Sequence, residues 1–192
     1  MTHLTCDYFL VVDLEATCCD QKSIPSAQRE IIEIGAVLLD RNFTPQSTFQ
    51  TFVRPVRHPQ LTPFCSALTT IEQSMVDVAP GYADAIAQFV TWLAPYSNWV
   101  FCAWGDFDRR QIRQDCKYHQ VPNPIEVTCL NLKTMFARAQ GLPGTYGMVQ
   151  ALDLAKLPLL GVHHRGIDDA QNIARLLPYS LGRLTLGVSR SR

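Results

Sequence analysis

The hydrophobic pattern of this chain begins with a short continuous apolar run, Tyr-Phe-Leu-Val-Val, at residues 8–12. Strands buried on both faces have unbroken runs of this kind, so the run predicts a central strand. Residues 31–39 form a second apolar run, and residues 46–53 alternate apolar and polar side chains as a third strand should. A short, turn-rich link joins the second and third runs, which predicts an antiparallel pair.

The second half of the chain alternates helical and strand patterns. The predicted elements are a helix at 82–93, a strand at 99–103, a helix at 106–118, a strand at 125–130, and helices at 132–139, 146–154 and 166–177. This order predicts an α/β fold with a mixed five-stranded sheet flanked by helices. A length of 192 residues suits one domain, predicted at 1–180, with a flexible C-terminal tail at 181–192.

Charge and cysteine content narrow the class of protein. The 17 Lys and Arg residues balance the 17 Asp and Glu residues, whereas proteins that coat long duplexes usually carry a basic excess. No two of the seven cysteines have the CxxC spacing, and their number is odd. Neither a zinc site nor a disulfide framework is therefore expected. The N-terminal sequence lacks the charged segment and long apolar run of a signal peptide. We therefore expect a cytoplasmic protein with no membrane attachment.

Two acidic residues, Asp13 and Glu15, follow the first apolar run. Side chains alternate along a strand, so both carboxylates should point to one side and Leu14 to the other. Neighbouring buried carboxylates repel each other unless a cation balances their charge. The pair is therefore either a solvated strand end or part of a metal site.

The sequence Trp-Gly-Asp-Phe-Asp at 104–108 brings two more carboxylates to the start of a predicted helix. Asp108 shares a helix face with Ile112 and Cys116, which should turn toward the sheet. Asp106 lies on the polar side, at the place where a helix N-cap is wanted. We assign Asp106 to capping and Asp108 to an inward site; stabilisation of the helix N-terminus is the alternative role for Asp108.

The third acidic segment is His-His-Arg-Gly-Ile-Asp-Asp at 163–169. By helical phase Asp169 falls on the buried stripe of the following helix, whereas Asp168 falls on a polar face. His164 precedes Asp169 by five residues on the entering loop, where an imidazole can move protons near neutral pH. A loop histidine can also be simply solvated.

Together the three segments predict one metal centre. Four inward carboxylates come from a strand end and two helix starts: Asp13, Glu15, Asp108 and Asp169. At one edge of a sheet they would carry too much negative charge to be stable without cations. Oxygen ligands select hard ions such as Mg²⁺ or Mn²⁺, and two such ions can clamp the attacking and leaving oxygens of a phosphoryl displacement.

Three motifs resemble those of the DEDD exonucleases that use a histidine as general base, on a ribonuclease H-like fold: Asp13-x-Glu15, Phe107-Asp108 and His164-x4-Asp169. Further strings are DLEATC from residue 13, FVRP at 52–55, FC-x2-LT-x-I at 64–71 and GIDDAQNIAR from residue 166. They are similar to the branch of histone-mRNA 3′ exonucleases and enhanced-RNAi exonucleases. The resemblance runs from about Phe9 to Leu177, nearly the whole chain.

The resemblance implies that residues 1–180 form one exonuclease domain, which removes nucleoside 5′-monophosphates from a 3′ end. It implies two divalent cations held by the four acids, and His164 as general base, since His163 is one residue too far from Asp169. It also implies a pocket for the terminal nucleotide, formed by Leu14, Ala16, Thr17, Thr69, Ile71 and Phe107. Single-stranded or 3′-overhanging substrates are expected, because opening a terminal base pair costs energy.

Alternatives remain open at this point. The branch favours RNA over DNA, but no residue can be assigned to a 2′-OH contact, so a DNA-directed exonuclease of the same fold is one alternative. A catalytically silent nucleic-acid-binding module is another, although the four acids and the histidine argue against it. A calcium protein is a third, and no D-x-D-x-D-G run supports it. The sequence predicts neither protein partners nor oligomeric state.

Overall fold

The computed structural model of the protein describes residues 5–20 and 23–187. Within these residues the strands are β1 (Tyr8–Ala16), β2 (Ile31–Asp40), β3 (Pro45–Phe52), β4 (Trp99–Ala103) and β5 (Cys129–Asn131). The α-helices are α1 (Pro63–Thr69), α2 (Gln73–Asp77), α3 (Tyr82–Leu93), α4 (Phe107–His119), α5 (Leu132–Ala139), α6 (Met148–Leu154) and α7 (Gly166–Ser180). None of these helices combines the length and apolar character needed to cross a membrane.

The strands form one mixed sheet in the order β3-β2-β1-β4-β5. β2 pairs antiparallel with both β1 and β3, whereas β1 and β4 are parallel. The predicted mixed five-stranded sheet and the antiparallel pair are therefore confirmed. Because β1 and β4 are parallel, their carboxyl ends lie at the same edge of the sheet, and α4 begins four residues after β4 at that edge.

Side chains alternate across β1 and reach two separate apolar layers. Val12 and Leu14 pack in the layer that contains α3 and α4. Val11 packs in the opposite layer, with α5, α6 and α7. Asp13 and Glu15 continue the series of Val11, so β1 presents both carboxylates to the side of the sheet that α7 covers.

β1 is longer than the apolar run predicted. It does not stop before Asp13 but stays paired with the ten-residue β2 as far as Ala16, which lies opposite Ile31 after a register shift. Asp13 and Glu15 therefore lie within a paired strand, where the ladder fixes their backbone positions. They are not on a loose strand end.

Two other predicted boundaries are also wrong. β5 begins at Cys129, not at residue 125, because Asn123 Oδ1 accepts a hydrogen bond from Ile125 N at 3.1 Å and holds this segment in a turn. α7 continues through Pro178 to Ser180, since a proline near the end of a helix removes only one backbone hydrogen bond.

The residues after α7 contact the side chain of Gln140. Gln140 Nε2 donates to Leu184 O at 2.9 Å, and Gln140 Oε1 accepts from Leu186 N at 2.8 Å. Part of the predicted flexible tail, residues 188–192, lies outside the described residues. The flexibility of 181–192 and the single-domain boundary at residue 180 stay predictions.

Candidate active site

Three of the four predicted metal ligands meet at the carboxyl end of β1. Asp13, Glu15 and Asp169 each place a carboxylate oxygen within 4.8 Å of the other two. Asp169 lies in the first turn of α7, which packs on the face of β1 that carries the other two acids. Glu15 and Asp169 are buried and Asp13 is partly exposed. The strand alternation and the helical phase therefore predicted the placement of these three side chains correctly.

Asp108 reaches the same place from the other side of the sheet. It lies in the first turn of α4, is 4% exposed, and accepts a hydrogen bond through Oδ1 from Leu14 N at 3.1 Å. This bond attaches α4 to the β1 backbone between the two β1 acids. Among the described residues Asp108 is not part of the group within 4.8 Å, but its charge helps to raise the pKa of Asp13.

The electrostatics of the cluster are unfavourable without a cation. Burial, followed by repulsion from Asp108, Asp169, Glu15 and Glu33, raises the pKa of Asp13 well above its ordinary value. Burial, followed by Asp169, Glu33 and Asp108, raises the pKa of Glu15 to about 8. Burial also raises the pKa of Asp108 to about 7. Carboxyl groups with such raised pKa values retain their protons near neutral pH unless a bound cation replaces the protons.

Both histidines lie at the cluster, but they contact it differently. His163 Nδ1 is 2.9 Å from Asp169 Oδ2 and 3.2 Å from Oδ1. His164 contacts the same carboxylate through its backbone N–H, which donates to Oδ2 at 3.0 Å. The two imidazole rings stack with their centroids 3.8 Å apart. The structure therefore brings both rings to the site and places the ring of His163 directly on Asp169.

The backbone of His164 is in the left-handed region, with φ of 65°. Such a conformation in a non-glycine residue costs about 1–3 kcal/mol and is often found at functional sites. Burial, followed by the adjacent His163, lowers the pKa of His164, while Asp169 opposes this shift. Within the described part of the chain the His164 ring has no hydrogen-bond partner, so the unprotonated nitrogen of its neutral form is free to accept a proton.

Asp106 and Asp168 have structural roles. Asp106 occupies the N-cap position of α4 but makes no side-chain cap bond, so the predicted capping role is wrong. Its backbone, with φ −112° and ψ 0°, lacks the usual extended N-cap conformation, and its Oδ2 accepts instead from Asn131 Nδ2 at 3.1 Å. Asp168 Oδ2 accepts from Val162 N at 2.8 Å and braces the loop that carries the two histidines.

Most of the predicted pocket residues are buried. These are Leu14, Ala16, Thr17, Thr69 and Ile71. Thr17 Oγ1 accepts from Glu30 N at 3.0 Å, and Thr69 Oγ1 donates to Cys65 O at 2.9 Å, so both hydroxyls brace the backbone. Phe107 is 37% exposed and immediately precedes Asp108. The structure therefore offers the Phe107 ring at the surface, and contact of the six residues with a substrate stays a prediction.

A fifth carboxylate, Glu33, lies at this edge and belongs to none of the three sequence motifs. It is fully buried and lies opposite Glu15 in the β1–β2 pair. Its charge contributes to the raised pKa of Asp13 and Glu15. A charged residue inside the apolar run at 31–39 is the same kind of signal that indicated Asp13, and it could have identified Glu33.

Comparisons with known proteins identify the family of this chain. The family model RNase_T, described as exonuclease, matches residues 10–177. ERI1 exoribonuclease 3 of Homo sapiens is 36% identical over 179 residues, which cover 88% of this chain and 52% of that protein. The chain therefore spans about half the length of the curated relatives of this name that it matches.

Two solved structures share the fold. The nuclease domain of 3′hExo, a DEDDh family member bound to rAMP, is 27% identical with a TM-score of 0.83, and the match covers 90% of each chain. A 3′-exonuclease that recognises the 3′ end of the histone mRNA stem-loop is 26% identical with a TM-score of 0.86, covering 93% of this chain and 65% of that one. The predicted ribonuclease H-like fold is confirmed. The chain belongs to the RNase_T exonuclease family, in the branch of ERI1 and 3′hExo.

Proposed function

We propose that this chain is a two-metal-ion 3′→5′ exonuclease that releases nucleoside 5′-monophosphates, with RNA preferred over DNA. The observation that carries the proposal is the convergence of Asp13, Glu15 and Asp169 within 4.8 Å, with Asp108 bound to the same stretch of β1. The relatives support the same activity, because they are named exoribonucleases or 3′-5′ exonucleases. RNA preference is supported by the exoribonuclease names alone.

The donor set fits divalent cations. All four acids offer oxygen atoms. Burial, followed by repulsion between the carboxylates, raises the pKa of Asp13 and of Glu15, and a bound cation would favour their charged forms. Oxygen-rich sites of this type select Mg²⁺ or Mn²⁺. Bound ions of this kind would polarise the attacking water and stabilise charge on the scissile phosphate and the leaving 3′-oxygen. Asp13, Glu15, Asp108 and Asp169 would hold them.

We assign the general base to His164. Its ring is free of hydrogen bonds to the described residues, whereas the His163 ring is engaged with Asp169. The backbone bond from His164 N to Asp169 Oδ2 holds this residue beside Asp169, and a ring nitrogen lies within 4.8 Å of that carboxylate, where it would take a proton from an attacking water. His163 would then orient Asp169 and keep the stacked His164 ring in place.

Selection of a 3′ terminus requires a surface for the last base. Phe107 is the partly exposed member of the predicted pocket, and base stacking on an aromatic ring is tolerant of sequence. A base that stacks there must leave any duplex, so single-stranded ends and 3′ overhangs should be the preferred substrates. The cytoplasmic location predicted from the sequence stays a prediction.

Matched RNA and DNA oligonucleotides labelled at the 5′ end test the proposal. With Mn²⁺ or Mg²⁺ we expect stepwise shortening from the 3′ end, release of nucleoside 5′-monophosphates and faster loss of RNA. EDTA and Asp13→Asn should each abolish the reaction. Faster loss of DNA would reassign the substrate. Binding of oligonucleotides with no metal-dependent product at high protein concentration would favour a catalytically silent binding module.

A further inference from the structure

We propose that Glu33 is a positioning residue that clamps the start of α7 and thereby sets Asp169 and the histidine loop against the β1 acids. The proposal rests on the proposed function, since only then do these groups act together on a substrate. Glu33 itself is fully buried and, among the described residues, lies outside the group of acids within 4.8 Å, so it acts through α7 without contacting substrate.

Glu33 uses both carboxylate oxygens. Oε2 accepts from Gly166 N at 3.0 Å and from Arg165 Nε at 3.1 Å, and Oε1 accepts from Gln50 Nε2 at 2.7 Å. The Glu33 side chain is 0% exposed and that of Arg165 is 19% exposed, so water screens this ion pair poorly. Charge-assisted hydrogen bonds in such surroundings are the strong ones.

The hydrogen bond from Gly166 N to Glu33 caps α7 with a side chain from β2. The first N–H groups of a helix have no partner inside the helix, and Arg165, the N-cap residue of α7, makes no side-chain cap bond. Glu33 supplies the missing acceptor and places its negative charge at the positive end of the helix dipole. Asp169 N donates to Arg165 O at 2.8 Å, so the clamped residues and Asp169 share one helical turn.

The clamp leaves little freedom to the site. A Cβ at Gly166 would lie 3.0 Å from Asp13 O, which shows how closely the start of α7 lies against β1. If Glu33 lost its charge, the Arg165 guanidinium and the Gly166 N–H would lose their best acceptor. Any shift would pass to Asp169 and then, through the bond from His164 N, to the histidine loop.

Glu33→Gln removes the charge with little change of shape, and Asp115→Asn is a matched control. Asp115 is also buried, and it also accepts from a backbone N–H, that of Ile31 at 2.8 Å, and from a glutamine, Gln111, at 3.1 Å. It connects α4 to β2 two helical turns beyond Asp108, away from α7. Both substitutions therefore replace a buried carboxyl group with an amide, but only Glu33→Gln should loosen the site.

Three measurements on the full chain separate the outcomes. They are amide hydrogen exchange of residues 166–169 in the metal-free protein, Mn²⁺ affinity by calorimetry, and kcat and KM on single-stranded RNA. For Glu33→Gln we expect about tenfold faster exchange, about tenfold weaker Mn²⁺ binding and a kcat lowered by about 10–100-fold, with KM nearly unchanged. Asp115→Asn should lower the Tm and leave all three quantities at wild-type values.

Wild-type exchange and Mn²⁺ affinity in Glu33→Gln would overturn the proposal, and so would an equal loss of kcat in Asp115→Asn. If Glu33→Gln does not fold, Arg165→Gln tests the same clamp, with faster exchange of residues 166–169 as the expected result. A wild-type chain with no metal-dependent hydrolysis would refute the proposed function. The exchange measurement on the metal-free protein would still decide the role of Glu33.

Discussion

Replacing Gly35 with alanine tests how closely α7 must approach the sheet for the site to form. Gly35 lies on β2, and a Cβ at this position would lie 2.1 Å from the Gly166 carbonyl carbon and 2.2 Å from Ile167 N. Both are backbone atoms, so no side-chain rotation can make room. Non-bonded carbon atoms prefer a separation of about 3.5–4.0 Å. The start of α7 must therefore move away from β2 by more than about 1 Å.

The cost of this movement can be estimated for stability and for turnover. Overpacking of a well-packed contact costs about 1–3 kcal/mol, which leaves most domains of this size folded at 25 °C. Asp169 lies in the displaced turn, and a misplacement of about 1 Å costs on the order of 10² in rate. We therefore expect Gly35→Ala to fold with a lower Tm and to lose about 100-fold in kcat/KM, together with Mn²⁺ affinity.

The assay is steady-state hydrolysis of single-stranded RNA with Mn²⁺, run well below the Tm of the variant, with calorimetry for metal binding. Gly144→Ala is the control, because a Cβ at that exposed position meets no atom within 4 Å. It should match wild type in all measurements. Wild-type Mn²⁺ affinity and turnover in Gly35→Ala would refute the claim that the close packing of α7 on β2 sets the site.

Three further predictions concern the cluster itself. His164→Asn should lower kcat by about 10²–10⁴ and leave Mn²⁺ affinity nearly intact, and asparagine tolerates the left-handed backbone at this position. If only His163→Asn caused a loss of that size, His163 would be the general base instead. Because the pKa of Glu15 is raised to about 8, metal binding below that pH must displace a proton from this carboxyl group. Calorimetry in buffers of different ionisation enthalpy should therefore show proton release and a metal affinity that rises up to about pH 8. Constant metal affinity from pH 6 to 8 would contradict this. The folded-state pKa of Asp13 is also raised, so its ionisation costs stability above its ordinary pKa. Asp13→Asn should therefore raise the Tm of the metal-free protein. It should also abolish the increase in Tm of about 5–10 °C that the wild-type protein gains when the metal concentration is about 100 times its Kd. A Tm of the metal-free variant below that of the wild-type protein would contradict this reasoning.

Local sequence patterns predicted much of the fold and the main geometry of the site. A strand period of two placed Asp13 and Glu15 on one face of β1, and the helical period turned Asp108 and Asp169 inward, as the structure shows. These predictions succeeded because the direction of each side chain follows from the periodicity of the backbone and from burial, and residues close in the sequence decide both. The mixed sheet followed from the order of the predicted elements.

Other features escaped because they depend on the exact conformation at one position. Asp106 is of a residue type that often caps helices, but its backbone conformation directs its carboxylate to Asn131. The sequence motif also did not reveal that the His163 ring would lie on the carboxylate of Asp169. Adjacent residues of one loop differ here by backbone dihedrals, and periodicity does not report those.

The sequence by itself determined which faces of β1, α4 and α7 carry acids, because each face is set by residues within a few positions of one another. Only the tertiary structure decided what those faces meet. Glu33 and Gly166 are 133 positions apart, yet one hydrogen bond joins them, and Gly35 is required by the backbone of a helix that begins far later in the chain. Such contacts depend on how closely distant elements pack, a distance that no local pattern of polar and apolar residues specifies.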